Sequence, residues 1–244
     1  MPQIERVDKL AEIQKWCKPV SDEEAARFLP KKDASAIANL RKFAKEVFEK
    51  KVFDWKENIF YKVEAGFDFQ KHAPKIGPCI YHWEKARRWK LQNKESTCDS
   101  LVFWIPRLLP GSCLKKTEDQ LKLMADYRKK YGLPENCLKN FGSASLNTLL
   151  ILERFHRIRE VLSFGQDVVR TDTLRANGRD TSGLHLCLDF AYVGGGSKPL
   201  DCNKDFVLVC LPYGYKYLDS GVERVEDVFH NVGCFPVGVW NLPC

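Results

Sequence analysis

The stretch from Leu184 to Leu211 constrains the fold of this chain more than any other. Along an extended backbone, Leu184, Leu186, Leu188, Phe190 and Tyr192 point one way, and His185, Cys187, Asp189 and Ala191 point the other. Phe206 to Leu211 is apolar throughout, as a strand covered on both faces would be. The pattern predicts two adjacent strands of one sheet. Upstream, Val168 to Leu174 reads as a strand, and Asn177-Gly178 is a hairpin signal, because a type I′ turn needs positive φ at both central residues. The Leu184 strand is its expected return arm. Tyr213 to Leu218 reads as a further strand. Phe235 to Trp240 reads as an edge strand, where Pro236 is tolerated because it cannot donate to a ladder.

The first two thirds of the chain read as helices. Ile4 to Trp16 carries apolar residues at helical spacing and meets Pro19 soon after. Ser21 and Glu24 form a capping box that opens a short helix ending before Pro30. Asp33 is placed to cap a longer helix to about Lys50, with Ile37, Leu40, Phe43, Ala44, Val47 and Phe48 as its apolar stripe. Phe53 to Phe69 is aromatic-rich and reads as a helix followed by a strand; Lys71 to Cys79, with Pro74, Gly77 and Pro78, reads as a loop. A helix over Tyr81 to Lys90 follows, then a short buried segment from Ser100 to Pro106. Thr117 opens a helix with a Leu121, Leu123, Met124 and Tyr127 stripe that Gly132 and Pro134 terminate. Ser143 or Ser145 caps a helix from Leu146 to about Glu160. Leu149 to Leu152 are consecutive, so every side of that turn is apolar and the helix is expected against the sheet. Its last turns, with Glu153, Arg154, His156, Arg157, Arg159 and Glu160, are expected to emerge into solvent. The fold class is α+β, with a helical N-terminal two thirds packed on a mainly antiparallel C-terminal sheet. Residues 1–244 make a single domain, with a helical subregion over 1–165 and a β-rich subregion over 166–244.

Charge divides at the same place. Residues 1–165 carry 32 Lys+Arg against 22 Asp+Glu, and residues 166–244 carry 7 against 10. A basic helical part beside a mildly acidic strand part is a footprint for nucleic acid or another polyanion, though Lys and Arg also populate solvated helix faces. No apolar run reaches the roughly 20 residues of a membrane helix. Met1 to Arg6 has no apolar core of the kind a signal peptide carries, so a cytoplasmic protein without membrane contact is expected. The ten cysteines include no C-x-x-C pair and, without an export signal, are expected as reduced thiols, Cys98 and Cys244 being the exposed ones.

Four constellations bear on function. His82, Trp83, Arg87, Arg88, Trp89 and Lys90 interleave basic and aromatic residues on one helix, with cations for phosphates and a Trp that can stack on a base. Arg154 and Arg157 extend that basic surface. The bland alternative makes both tryptophans core anchors with Arg stems packed over them. His185, Cys187 and Asp189 share one strand face at about 6.5–7 Å per step. That arrangement offers ligands to zinc, or a thiol for Cys/His catalysis, but matches no strong signature. Gly194-Gly195-Gly196-Ser197-Lys198 is not a P-loop, because Pro199 stands where a helix should begin. Arg170 and Asp172 share a strand face and read as an ion pair. The catalytic residues are unknown. The expected function is a non-catalytic interaction protein with a protein partner, then a nucleic-acid-binding protein, then a metal-dependent or Cys/His enzyme, with no cofactor required.

Overall fold

A computed structural model describes residues 9–33, 35–49, 54, 56–76, 96–113, 115, 117–158, 168–177, 180–189, 207–212, 215–218, 221–224 and 232–243. Between 168 and 232 it describes side chains for Val169, Thr171 and Asp172.

The core is organised by a four-stranded antiparallel sheet in the order β1-β2-β3-β10. Its strands are β1 (Cys17–Val20), β2 (Phe60–Val63), β3 (Ser100–Trp104) and β10 (Val237–Asn241). All five residues of β3 are buried, so this strand is covered on both faces. The period-2 alternation of a strand sends Val102 and Trp104 to one side and Leu101 and Phe103 to the other. On the first side they meet Tyr61 and Val63 of β2 together with α3 (Phe69–Ile76) and α5 (Ala144–Ile158). On the second side they meet α1 (Asp22–Phe28), α2 (Ala36–Val47) and α4 (Thr117–Tyr131). Phe43 of α2 makes edge-to-face contacts with Phe103, Tyr127 and Tyr131 and ties these elements together.

A second sheet has the order β6-β5-β4-β9, from β4 (Val168–Asn177), β5 (Asp180–Asp189), β6 (Val207–Pro212) and β9 (Val232–Gly233). Only the β4–β9 pair is parallel among the strand pairs of the described residues. β7 (Tyr215–Leu218) and β8 (Gly221–Arg224) form a separate antiparallel pair. α5 lies against β1 of the central sheet and against β4 and β5 of the second. It is therefore covered on opposite sides, which explains its four consecutive apolar residues.

The protein is α+β and its pairing is mainly antiparallel, as the sequence predicts. β5 and β6 are adjacent, with Leu184 opposite Pro212 and Asp189 opposite Val207. β4 and β5 pair as expected, but Asn177 stands opposite Asp180 as the last residue of β4 rather than at a central turn position. The sheet on which the helices pack is nevertheless a different one, built largely from the first 104 residues. Pro19 does not merely stop a helix; it sits in β1 at the sheet edge, opposite Tyr61. The aromatic segment runs strand then helix, β2 then α3, rather than the reverse. The loop expected at Lys71 is replaced by α3, which passes through Pro74 and is capped by Asp68, whose Oδ1 accepts from the Gln70 N–H at 2.9 Å. Asp33 caps nothing; its carboxylate accepts from Trp240 Nε1 at 3.1 Å. On α4 it is Gln120, not Leu121, that turns inward, its Nε2 donating to the Ser112 carbonyl at 2.8 Å. Ser21 and Ser143 cap α1 and α5 as expected, each accepting from the backbone N–H three residues on.

Residues 134–142 run beside β10 and approach it closely at one point. A Cβ on Gly238 would lie 2.6 Å from Cys137 Sγ and 3.2 Å from Cys137 Cα. Because backbone cannot yield as a flexible side chain can, Gly238→Ala is expected to lower the unfolding free energy by about 1–3 kcal/mol in urea melts. A neutral result would mean that this loop is not held against the sheet.

Candidate ligand cleft and the buried end of α5

A cleft of about 700 Å³ opens where the loop before α5 meets the ends of β3 and β10. Its deep wall includes Thr97, Ser100, Gly142, Leu146 and Val239; its rim includes Ser96, Cys98, Asn136, Lys139, Asn140 and Asn241. Ser143 and Asp172 complete one side. The lining is amide and hydroxyl with the aliphatic side chains of Leu146 and Val239, one ammonium, one carboxylate and one thiol, and it contains no aromatic ring.

The loop is held from several directions. The Leu138 N–H donates to the Val237 carbonyl at 2.8 Å. The Asn147 side chain donates to the carbonyls of Phe141 and Gly142 at 3.0 and 3.3 Å. Gly142 has φ +73, and a Cβ there would lie 3.3 Å from Asn147 Nδ2, so both conformation and space favour glycine. From β4, Asp172 Oδ1 accepts from the Phe141 N–H at 3.2 Å, and the Asp172 N–H donates to the Gly142 carbonyl at 2.9 Å. Desolvation under the loop pushes the Asp172 carboxyl up from its ordinary range, against the pull of the Phe141 and Gly142 N–H groups. The residue otherwise stays open to solvent. On the far side, Thr97 Oγ1 accepts from the Phe67 N–H at 3.0 Å and donates to the Glu64 carbonyl at 2.7 Å. The cleft is thus bounded by fixed backbone.

Of the charged residues expected in solvent on the last turns of α5, Glu153, Arg154 and His156 are buried instead and Arg157 is half-buried; Arg159 and Glu160 lie outside the described residues. Glu153 is 0% exposed, Arg154 2% and His156 1%. The reason is tertiary: Glu153 lies beside Cys17 of β1 and Tyr61 of β2, and Arg154 reaches Glu57 ahead of β2, so packing against the central sheet takes these residues out of water. Glu153 Oε1 accepts from Arg157 Nε at 2.6 Å, and Arg154 Nη1 donates to Glu57 Oε2 at 2.7 Å. Among the described residues, Glu153 Oε2 has no hydrogen-bond donor. Burial pushes the Glu153 carboxyl up, and Arg157 pulls the other way. Burial likewise raises the Cys17 thiol and the Tyr61 hydroxyl, with the Glu153 charge adding to both. Cys17, Tyr61 and Glu153 are enclosed, and Glu153 is paired with Arg157.

Arg154 and Arg157 therefore bind carboxylates of this chain. His82, Trp83, Arg87, Arg88, Trp89 and Lys90 lie outside the described residues, as does Gly194 to Pro199. His185, Cys187 and Asp189 all lie on β5, and His185 and Cys187 stand opposite Arg170 and Val168 of β4; their side chains, like that of Arg170, are outside the described set. Among the described residues, no three His, Cys, Asp or Glu side chains gather as a metal site would require. No described helix is long and apolar enough to cross a membrane. Of the cleft residues, Asp172, Cys98 and Ser143 stand out in the sequence, but as an ion-pair partner, an exposed thiol and a helix cap. Asn136, Lys139, Asn140 and Ser143, interleaved with Cys137, Leu138 and Phe141 between two helices, read as an ordinary connection. Comparison with protein-family models, curated proteins and solved structures returns no match.

The unfolded Glu carboxyl titrates near 4.3. A raised folded-state value means that the folded state binds the proton more tightly, so this group's contribution to stability falls as pH rises from about 4.3 through the folded value. Glu153→Gln removes the titration. Its stability relative to the unaltered chain is expected to be greater at pH 7 than at pH 4 in urea melts. A difference that does not change with pH would contradict the upward shift of the Glu153 carboxyl.

Proposed function

We propose that this chain is a non-catalytic binding protein whose ligand sits in the cleft before α5. One contrast supports the reading. The titratable groups Glu153, Tyr61 and Cys17 are shut inside the fold with Arg157 half-buried beside them, whereas the cleft offers mainly neutral hydrogen-bonding groups held by backbone hydrogen bonds. General acid–base or nucleophilic chemistry needs an activated group within reach of the substrate. Orientation of a polar ligand needs fixed donors and acceptors of the kind the cleft carries. Cys17, Cys98 and Cys137 are thiols without disulfides, which supports an intracellular setting. The basic aromatic segment from His82 to Lys90 serves the same reading as a surface for a protein partner.

Asn140 is exposed on the cleft rim, so Asn140→Trp fills the cleft without touching the core. In a thermal-shift screen against polar metabolites and short peptides, ligands are expected to raise Tm of the unaltered protein by several degrees and that of Asn140→Trp by much less. A screen without such ligands overturns the reading. A ligand recovered chemically changed, by mass spectrometry, overturns its non-catalytic part.

Nucleic acid is the second reading, supported by the excess of basic residues over positions 1–165. On that reading duplex affinity falls steeply with salt, and Arg87→Ala with Arg88→Ala is expected to flatten the slope by about two phosphate contacts. Absence of binding near physiological salt removes it.

A further inference from the structure

We infer that the cleft seats an extended peptide that adds a strand to the open half of β10. This rests on the binding reading above and names its ligand class. β10 is an edge strand. Trp104 N–H donates to the Ile59 carbonyl on the β2 side, so by alternation Phe103 and Leu101 bond to Gly238 and Trp240. Val237, Val239 and Asn241 therefore turn their main-chain groups outward.

The first half of this edge is occupied. Leu138 N–H donates to the Val237 carbonyl at 2.8 Å, and Val239 N–H donates to the Asn136 carbonyl at 3.4 Å, on either side of the Cys137–Gly238 bridge. There the imitation strand stops, because the Cys137 N–H donates back to the Pro134 carbonyl at 2.9 Å and the chain turns away. Beyond that point the Val239 carbonyl and the Asn241 N–H have no backbone partner among the described residues. Both residues line the cleft.

An acceptor and a donor that flank one residue on a sheet edge are what a parallel strand engages. Its residue donates to the carbonyl before and accepts from the amide after. Unpaired edge groups of this kind template the addition of an extended chain. The surrounding side chains are consistent with main-chain reading. Asn136 and Asn140 both donate and accept, Lys139 and Asp172 balance in charge, and no aromatic ring offers an apolar anchor. The occupant is a peptide with small, uncharged polar side chains at the positions that face the cleft.

The test starts from a random-decapeptide display library panned on the intact chain, followed by anisotropy titration of the selected peptide. Asn241→Pro deletes the edge N–H and sacrifices no bond to β3, and a strand conformation at Trp240 already suits a following proline. Asn241→Ala keeps the N–H and removes the side chain. Asn241→Pro is expected to bind about tenfold more weakly than Asn241→Ala, the scale of one lost hydrogen bond. In the unaltered protein, exchange of the Asn241 amide should slow when peptide is bound. Equal affinities of the two variants, together with unchanged amide exchange, overturn the strand pairing. If only non-peptide compounds stabilise the protein in a manner sensitive to Asn140→Trp, the peptide assignment falls and the binding reading stands. If nothing binds, both fall.

Discussion

Burial of β3 on both faces is the constraint from which the rest of this architecture follows. A five-residue strand with large side chains on each side must be covered twice. Helices α1, α2 and α4 supply one cover and α3 and α5 the other. Apolar burial is the main favourable term in folding, and here most of the largest enclosed side chains, including Trp104, Tyr61, Phe43, Phe60 and Phe103, converge on the central sheet. The second sheet then has a defined task. It closes over the outer side of α5, which the central sheet leaves uncovered.

Burial of α5 sets the chemistry of the interior. Charged residues on the last turns of α5 are taken out of water and must be satisfied locally. Glu153 with Arg157, and Arg154 with Glu57, do this. Removal of one partner from such a pair is costly because it strands a desolvated charge. Arg154 with Glu57 ties α5 to the segment ahead of β2, whereas Glu153 with Arg157 is a pair within the helix. The cleft, by contrast, lies at the other end of the same helix, where capping by Ser143 and clamping by Asn147 and Asp172 hold a loop open to solvent.

Features carried by local periodicity or capping were legible in the sequence. The apolar run of α5, the Ser21 cap, the stripe of α2 and the β4–β5 hairpin are examples. Features decided by contacts between distant residues were not. β1 and β2 are four residues each, too short for alternation to speak, and Pro19 in β1 reads locally as a terminator. α3 was hidden by Pro74, although Asp68 supplied a cap. Arg154 and His156 read as surface because they are polar, and only tertiary packing around α5 buries them. The cleft takes its lining from four separated segments, around Ser96, Asn136, Asp172 and Asn241, so no window of sequence contains it. Its polar residues read individually as loop.

The pairing of β10 with β3 joins Val237 to Trp104 and Asn241 to Ser100. During synthesis β3 leaves the ribosome long before its neighbour on that side exists. Until then its apolar residues and one row of its amides and carbonyls stay open to other chains. Closure of so long a loop also slows folding. The nascent chain thus depends on shelter for its most aggregation-prone strand, and any shortening that reaches Val237 would make that exposure permanent.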